Sequence, residues 1–222
     1  MSALYERSVS GLGQRVDTSL MEAQLSSLVN VASNYLISGK DNSKRLGTAH
    51  PSIVPYQAFE CKGGNFISLA VGNDGQFKDF CLAMGHSEWP DDERFRTNSD
   101  RVQNRHILIP MLGEIFATND VDYWLSAFEN KGFPCGPVRS IEESFNCPQA
   151  RERNMVEEID HPKCGPIKVV GVPVKYSRTP CSIRTPPPLL GEHTKHVLMD
   201  ILEFSELEVL ELIKSGAVST QD

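Results

Sequence analysis

The polar loop from Gly47 to Ser52 carries the side chains best suited to bind a substrate. Its sequence, GTAHPS, brings together small residues, the hydroxyl groups of Thr48 and Ser52, and the imidazole of His50. Such a loop can form hydrogen bonds to an acyl group or a phosphate. An ordinary crossover between domains, with its polar groups facing water, explains the same composition. Arg45, just before the loop, can likewise be only a solvated side chain.

Other motifs in the chain do not support a cofactor site or a nucleophile. Gly11 and Gly13 match the first two glycines of the dinucleotide-binding motif G-x-G-x-x-G, but residue 16, where the third glycine would stand, is Val. In addition, no strand precedes the motif, and a strand is expected to follow it. His193 and His196 lie three residues apart, yet catalytic zinc needs three protein ligands and no carboxylate or thiolate partner is evident. There is no GxSxG motif. The sequence therefore predicts no metal site and no catalytic triad.

Composition and charge narrow the class of protein. The chain has 222 residues, 40% hydrophobic and 23% charged, which is typical of one large or two small globular domains. A net charge of -7 argues against a general nucleic-acid surface. Apolar runs are shorter than a bilayer span and the N-terminus has no apolar signal core, so we expect neither a membrane partner nor secretion. Six scattered cysteines without a CxxC pair are expected to be reduced thiols.

The residues after the loop predict a β-hairpin. Tyr56 to Cys61 alternates between apolar and polar residues, and Phe66 to Val71 is a second apolar segment. The intervening Lys62 to Asn65 contains two glycines and favours a turn. The loop is therefore predicted to be mounted on a rigid two-stranded base.

A capped helix is predicted directly after this hairpin. Asn73 and Gln76 have the spacing of a reciprocal N-terminal cap, which places the first helical residue near Asp74. The apolar residues expected to point inward are Phe77, Phe80 and Leu82.

The first forty residues predict a strand followed by a long apolar helix. Gln14 to Thr18 is compatible with a strand, and Ser19 with Glu22 forms a capping-box pattern for a helix from Leu20 to Ile37. The apolar face of that helix comprises Met21, Leu25, Leu28, Val29, Ala32, Tyr35 and Leu36. A single short strand cannot cover such a face, so we expect a further structural element to cover it.

The rest of the chain predicts short elements joined by turns. The expected elements are helices over 107–116, 121–131, 194–202 and 205–216, an extended segment over 133–138, a short helix capped by Ser140, a hairpin over 157–174 and a proline-rich linker over 176–188.

Several short motifs occur in one order along almost the whole chain. They are GQxVDxSL at 13–20, PYQxF at 55–59, AVGNDxQF at 70–77, TNxxRVxNR at 97–105, GPV at 136–138, SxTP at 177–180 and PPLLGEHT at 187–194. In these motifs the chain resembles the class III CoA-transferases.

The resemblance implies an α/β fold of two domains. Members have a large Rossmann-like domain, built from both chain ends, and a smaller α/β domain, and two subunits form interlocked rings. The expected division is 1–48 as a strand–helix piece of the large domain, 49–140 as the small domain, and 141–222 as return linker, hairpin and C-terminal helices of the large domain. The N-terminal half of the large domain is expected to be absent from this chain.

The resemblance also implies a covalent mechanism. In the family an aspartate attacks the acyl-CoA thioester, giving a mixed anhydride and then an aspartyl-CoA thioester. The motifs match only from just after that aspartate, so no catalytic residue is expected in this chain, and Asp17 is interpreted as a strand-end or cap residue. Coenzyme A is a substrate and no cofactor is implied. The implied substrates are succinyl-CoA and a dicarboxylic acid such as glutarate.

Residues 47–52 align with the loop that covers the aspartyl intermediate and shields it from water in the family. That loop is glycine-rich in formyl-CoA transferase, whereas here a single glycine and His50-Pro51 suggest a stiffer loop. Thr48, His50 and Ser52 are expected to contact the acyl carboxylate, with Arg45 as a charge partner. The full expected substrate-binding set is Arg45, Gly47, Thr48, His50, Ser52, Tyr56 and Gln57, the last two holding the base of the loop.

Two other functions remain open at this stage. The chain could be a catalytically incomplete product, from a truncated gene model or a splice form, that acts only as a dimerisation or interaction module. It could also belong to an enzyme similar to α-methylacyl-CoA racemase. The resemblance implies an interlocked homodimer in the full-length parent, a mitochondrial location, and no nucleic-acid partner.

Overall fold

The computed structural model describes residues 1–40 and 44–220. They form two compact units, Met1–Pro137 and Val138–Asp222. Both units combine helices with short antiparallel strands, which confirms the predicted α/β class. The finer division at residues 48 and 140 stays a prediction.

The predicted hairpin forms the centre of the first unit. Strand β1 (Tyr56–Glu60) pairs antiparallel with β2 (Phe66–Ala70), so that Phe59 lies opposite Ile67. Gly63 and Gly64 in the turn have φ angles of 90° and 82°, a left-handed backbone that glycine adopts without strain. The predicted extended segment provides a third strand, β3 (Cys135–Pro137), along the other edge of β2.

Helix α4 (Asp74–Ala83) begins where the cap pattern predicts. The Oδ1 atom of Asn73 accepts a hydrogen bond from the Gln76 backbone at 2.9 Å, while Gln76 Oε1 accepts from Gly72 N at 2.7 Å. The prediction that Leu82 points inward is wrong, because its side chain is 64% exposed. Successive helical residues are separated by about 100°, so a face fixed by Phe77 and Phe80 cannot include residue 82. Cys81 and Met84 take the inward positions instead.

An aromatic cluster fills the space between this sheet and the helices. The helical segments after α4 are a 3₁₀ turn (Trp89–Asp91), α5 (Asn98–Gln103), α6 (Arg105–Phe116) and α7 (Val121–Ala127). Phe116 stacks on Phe59 with 4.8 Å between ring centroids, and its carbonyl accepts a hydrogen bond from Trp124 Nε1 at 3.0 Å. These three side chains are buried. Their aromatic packing makes β1, β2 and α6 a rigid base for the preceding loop.

The N-terminal segment differs from its prediction in two ways. It contains α1 (Ser2–Ser10), α2 (Leu20–Ser27) and α3 (Val29–Ser38). Residues 14–18 form no strand, because no described segment pairs with them. The predicted single helix is broken at Leu28, whose N–H bonds to the carbonyl of Leu25 three residues back. None of the residues in these helices is buried, so their apolar faces are exposed.

The second unit is built around the other predicted hairpin, β4 (Val156–His161) paired antiparallel with β5 (Gly165–Val170). The remaining elements are α8 (Ile141–Asn146), α9 (Pro148–Glu152), α10 (Thr194–His196), which continues as a π-helix over Val197–Ile201, and α11 (Glu206–Lys214). The predicted linker over 176–188 has neither helix nor strand. Within residues 1–40 and 44–220, no helix has both the length and the apolar character needed to cross a membrane.

Candidate functional site

The candidate loop begins with a tight turn. Ala49 N donates a hydrogen bond to the carbonyl of Leu46 at 3.0 Å. Gly47 has a φ angle of 62°, a left-handed conformation that strains residues with a side chain. The backbone therefore favours glycine here. Arg45, just before the turn, is exposed.

The loop then folds back onto strand β1. His50 N donates to the carbonyl of Tyr56 at 2.9 Å, and the Thr48 hydroxyl accepts from Ala58 N at 3.1 Å. In both contacts a group of the loop forms a hydrogen bond with the backbone of β1 at the edge of the hairpin. Gln57 is half-buried in β1 opposite Leu69.

His50 is held in a defined orientation by its neighbours. Its ring stacks on Tyr56, with 5.2 Å between centroids and 14° between planes. Its Nδ1 atom accepts a hydrogen bond from Ser52 N at 3.1 Å. A neutral imidazole that accepts at Nδ1 carries its proton at Nε2. His50 therefore offers an Nε2–H donor that can bind a carboxylate or acyl oxygen.

Two side chains that sequence analysis did not assign to the site bind the loop from the helices beside it. Arg105, the first residue of α6, donates from Nη2 to the carbonyls of Pro51 at 2.7 Å and His50 at 3.3 Å. Asn98, the first residue of α5, donates from Nδ2 to the Ser52 carbonyl at 2.8 Å. Its Oδ1 atom accepts from Val54 N at 3.1 Å. We call Asn98 and Arg105 together the loop clamp.

Arg101 fixes the point where the loop enters the core. Its side chain is fully buried, and it donates to the carbonyls of Val54 at 2.7 Å and Phe95 at 2.9 Å. It also forms an ion pair with Asp74 at 2.8 Å, and its guanidinium lies 4.1 Å from the centre of the Phe77 ring. Burial lowers the pKa of Arg101, and the Asp74 carboxylate opposes that shift.

The expected site residues are only partly brought together. Thr48, His50 and Ser52 form one hydrogen-bonded loop, with Tyr56 beneath it. In the described part of the chain, the side chains of Arg45 and Gln57 form no hydrogen bond to this loop, and no carboxylate bonds to its side chains. The expected contacts of these residues with a substrate stay predictions.

A family profile described as CoA-transferase family III matches residues 1–194. The chain belongs to CoA-transferase family III. This result confirms the family to which the sequence motifs pointed and, with it, the class III CoA-transferase fold.

Curated relatives of this family III chain are named as CoA-transferases. It is 40% identical over its full length to "Succinyl-CoA:glutarate CoA-transferase" of Mus musculus, covering 50% of that protein. It is 39% identical over 95% of its length to "Succinate--glutarate CoA-transferase" of Agrobacterium fabrum, again covering 50%. A crystal structure of a CAIB/BAIF family protein from Brucella suis matches 90% of the chain and 51% of its own, with a TM-score of 0.71 and 36% identity. The chain thus spans about half the length of the curated relatives it matches.

The histidine pair in this family III chain has a partner that the sequence did not reveal. His196 Nδ1 lies 2.7 Å from the Asp200 carboxylate, and both side chains are exposed. Residues 1–40 and 44–220 contain no group of three or more His, Cys, Asp or Glu side chains placed to hold a metal ion. An exposed pair supplies fewer ligands than a zinc site needs.

Proposed function

We propose that these residues form part of a CoA-transferase that moves CoA between succinyl-CoA and a dicarboxylic acid such as glutarate. The observation that carries the proposal is the similarity, over the whole chain, to proteins named for that transfer in Mus musculus and Agrobacterium fabrum. Coenzyme A enters as a substrate, and the proposal includes no further cofactor.

The proposed chemistry proceeds through an aspartate outside these 222 residues. Its carboxylate attacks the thioester carbonyl, the C–S bond breaks, and a mixed anhydride and CoA thiolate form. The thiolate then attacks the aspartyl carbonyl and releases the acyl group as a carboxylate, leaving an aspartyl-CoA thioester. The acceptor acid takes CoA by the reverse steps. Asp17 does not fit this role, since its exposed carboxylate pairs with Arg15 two residues away.

The loop at 47–52 is proposed to bind the free carboxylate of the acyl group or acceptor. His50 supplies an Nε2–H donor, and Thr48 and Ser52 are exposed residues of the same loop. Arg45 lies at the start of the loop and is proposed to pair with the bound charge. Tyr56 and Gln57 are proposed to hold the base of the loop on β1. Hydrogen bonds to a charged group are worth about 1.5–3 kcal/mol each, enough to select an acid over a neutral acceptor.

The direct test is transfer of CoA from succinyl-CoA to glutarate, followed by chromatography of the thioesters. We expect no transfer by the 222-residue chain, and transfer by a longer protein in which these residues follow the N-terminal half of the family fold. In that longer protein, replacing the nucleophilic aspartate by Asn provides the inactive control. Transfer by the short chain would contradict the proposed position of the nucleophile. Exchange of an α-proton without transfer would favour the racemase-like alternative.

The proposed assembly is an interlocked homodimer of the longer protein. The exposed apolar faces of α2 and α3 support it, because such surfaces are normally covered by another polypeptide segment. A molar mass of two chains by light scattering is the expected result. A mitochondrial location is proposed from the resemblance alone, and imaging of the tagged natural protein tests it. If the longer protein dimerises but transfers no CoA, the interaction-module alternative is favoured.

A further inference from the structure

The position of the loop is set by side chains from distant parts of the sequence. Its internal contacts tie it to β1 at His50 and Thr48, but the carbonyls of residues 50–52 point towards α5 and α6. Those carbonyls are bound by the loop clamp, Asn98 and Arg105, which lie 46 and 54 residues away from their partners Ser52 and Pro51. The orientation of His50 therefore depends on groups outside the loop.

An amide side chain is chemically suited to the position of Asn98. It faces a carbonyl at Ser52 and an N–H at Val54, so it must donate and accept at the same time. The Asn98 amide does both, donating from Nδ2 and accepting at Oδ1. Aspartate has the same shape, but its second oxygen would lie against the Ser52 carbonyl.

The position of Arg105 likewise suits a long side chain that ends in hydrogen-bond donors. One nitrogen, Nη2, reaches the carbonyls of Pro51 and His50, and the side chain is half-buried. The Pro51 carbonyl belongs to the same peptide group as Ser52 N, which orients the His50 imidazole. A lysine keeps the charge, but its ammonium lies one bond closer to the backbone than Nη2 and reaches less far towards the two oxygens.

We propose that Asn98 and Arg105 are positioning residues that hold the His50 loop in its binding conformation and thereby set the affinity for the carboxylate acceptor. This inference rests on the proposed function. It assigns to the helices a role in substrate binding without direct contact between the clamp and the substrate. Arg101 is excluded from this role because its contacts lie in the core, where substitution would destabilise the whole unit rather than the loop alone.

The test compares Asn98→Asp and Arg105→Lys in the longer protein that contains these residues. Arg96→Lys is the matched control, since Arg96 is exposed and its side chain lies 3.5 Å from the Asp91 carbonyl, away from the loop. Amide hydrogen exchange is measured for peptides covering residues 48–58 and for β2. The KM and kcat for glutarate are measured in the same preparations.

We expect exchange in 48–58 to become roughly three- to tenfold faster in both clamp variants, because each loses contacts worth about one hydrogen bond. In Arg105→Lys the amide hydrogens of Ser52 and Val54 keep their acceptors, His50 Nδ1 and Asn98 Oδ1. Faster exchange of these two amides in that variant therefore reports movement of the loop itself. Exchange in β2 stays unchanged. The KM for glutarate rises by a similar factor, while kcat changes less than twofold. A loss of folded protein would instead lower the apparent kcat and leave KM unchanged.

The proposal is overturned by unchanged loop exchange in both variants, or by faster loop exchange with an unchanged KM. Equal acceleration in β2 and in the loop would also overturn it, since that result shows general destabilisation. If the unsubstituted longer protein shows no transfer at all, the proposed function fails. The exchange measurement then still decides whether the clamp holds the loop.

Discussion

Removal of the buried Arg101 side chain should destabilise the first unit strongly. Arg101→Ala deletes three hydrogen bonds to backbone carbonyls and the ion pair with Asp74, and it leaves a cavity over Phe77. Arg101→Lys retains the charge, but one ammonium group cannot reach Val54, Phe95 and Asp74 together.

The expected cost follows from these contacts. Removing one partner of a buried ion pair costs about 3–5 kcal/mol. The Asp74 side chain is 56% exposed, so water can re-solvate its carboxylate and the loss falls near the lower limit. We therefore expect Arg101→Ala to reduce the free energy of unfolding by about 3 kcal/mol and Arg101→Lys by about 2 kcal/mol. Both are large compared with a total stability of about 5–15 kcal/mol.

Urea unfolding followed by tryptophan fluorescence measures this effect. The two tryptophans of the chain, Trp89 and Trp124, are both buried in the core of the first unit, so their emission reports on that unit. Arg96→Lys serves as a control and should change stability by less than about 0.5 kcal/mol. A loss below about 1 kcal/mol in Arg101→Ala would refute the assigned role of the buried guanidinium.

Further predictions concern thiols and the N-terminal helices. Burial raises the pKa of Cys81 from 9.0 to about 12, so the unfolded thiol ionises first and the free energy of unfolding should fall as pH rises from 9 towards 12. In Cys81→Ala this part of the pH dependence should disappear from urea titrations. A thiol reagent should modify the exposed Cys164 and Cys181 rapidly and Cys81 only after unfolding, and rapid loss of all thiols would contradict the core assignment. The 222-residue chain alone should aggregate through the exposed apolar side chains of its N-terminal helices. The double substitution Met21→Glu and Leu25→Glu should therefore reduce light scattering. A soluble, cooperatively melting monomer of the unsubstituted chain would contradict this expectation.

The sequence correctly predicted the elements whose stabilising contacts lie between residues close in sequence. The hairpin at 56–70 follows from alternation and from two glycines in the turn. The caps at Asn73, Ser140 and Ser205 each rest on a side chain that bonds a backbone N–H three residues ahead. Such contacts form within one turn of helix, so neighbouring residues are sufficient to predict them.

Features that depend on distant partners could not be predicted in the same way. The segment at 14–18 has the composition of a strand, but a strand needs a neighbouring ladder that the described chain does not provide. Leu82 was assigned inward from its apolar character, whereas the packing of Phe77 and Phe80 determined which face of α4 is buried. In both cases tertiary contacts outweigh local preference.

In the candidate site, too, the contacts between residues distant in sequence could not be predicted. The loop composition singled out Thr48, His50 and Ser52, and the structure joins their groups by hydrogen bonds and through β1. The motif TNxxRVxNR contains Asn98, Arg101 and Arg105 at spacings that favour a shared helical face. Nothing in that spacing shows that the face meets carbonyls some fifty residues earlier. Helix α6 is otherwise mostly apolar, so a search for polar side chains on apolar helices would have identified Arg105, whereas α5 is mostly polar and gives no such signal for Asn98 or Arg101.

The His50 loop is proposed to bind the carboxylate substrate. The most direct measurement is kcat/KM for glutarate in His50→Ala compared with His106→Ala, made in the longer protein. His106 lies exposed on α6 and provides a matched histidine control. Loss of one hydrogen bond to a charged group predicts a decrease of roughly ten- to a hundredfold for His50→Ala, with an unchanged fluorescence midpoint and full activity in the control. Equal kcat/KM values in the two variants would contradict the claim.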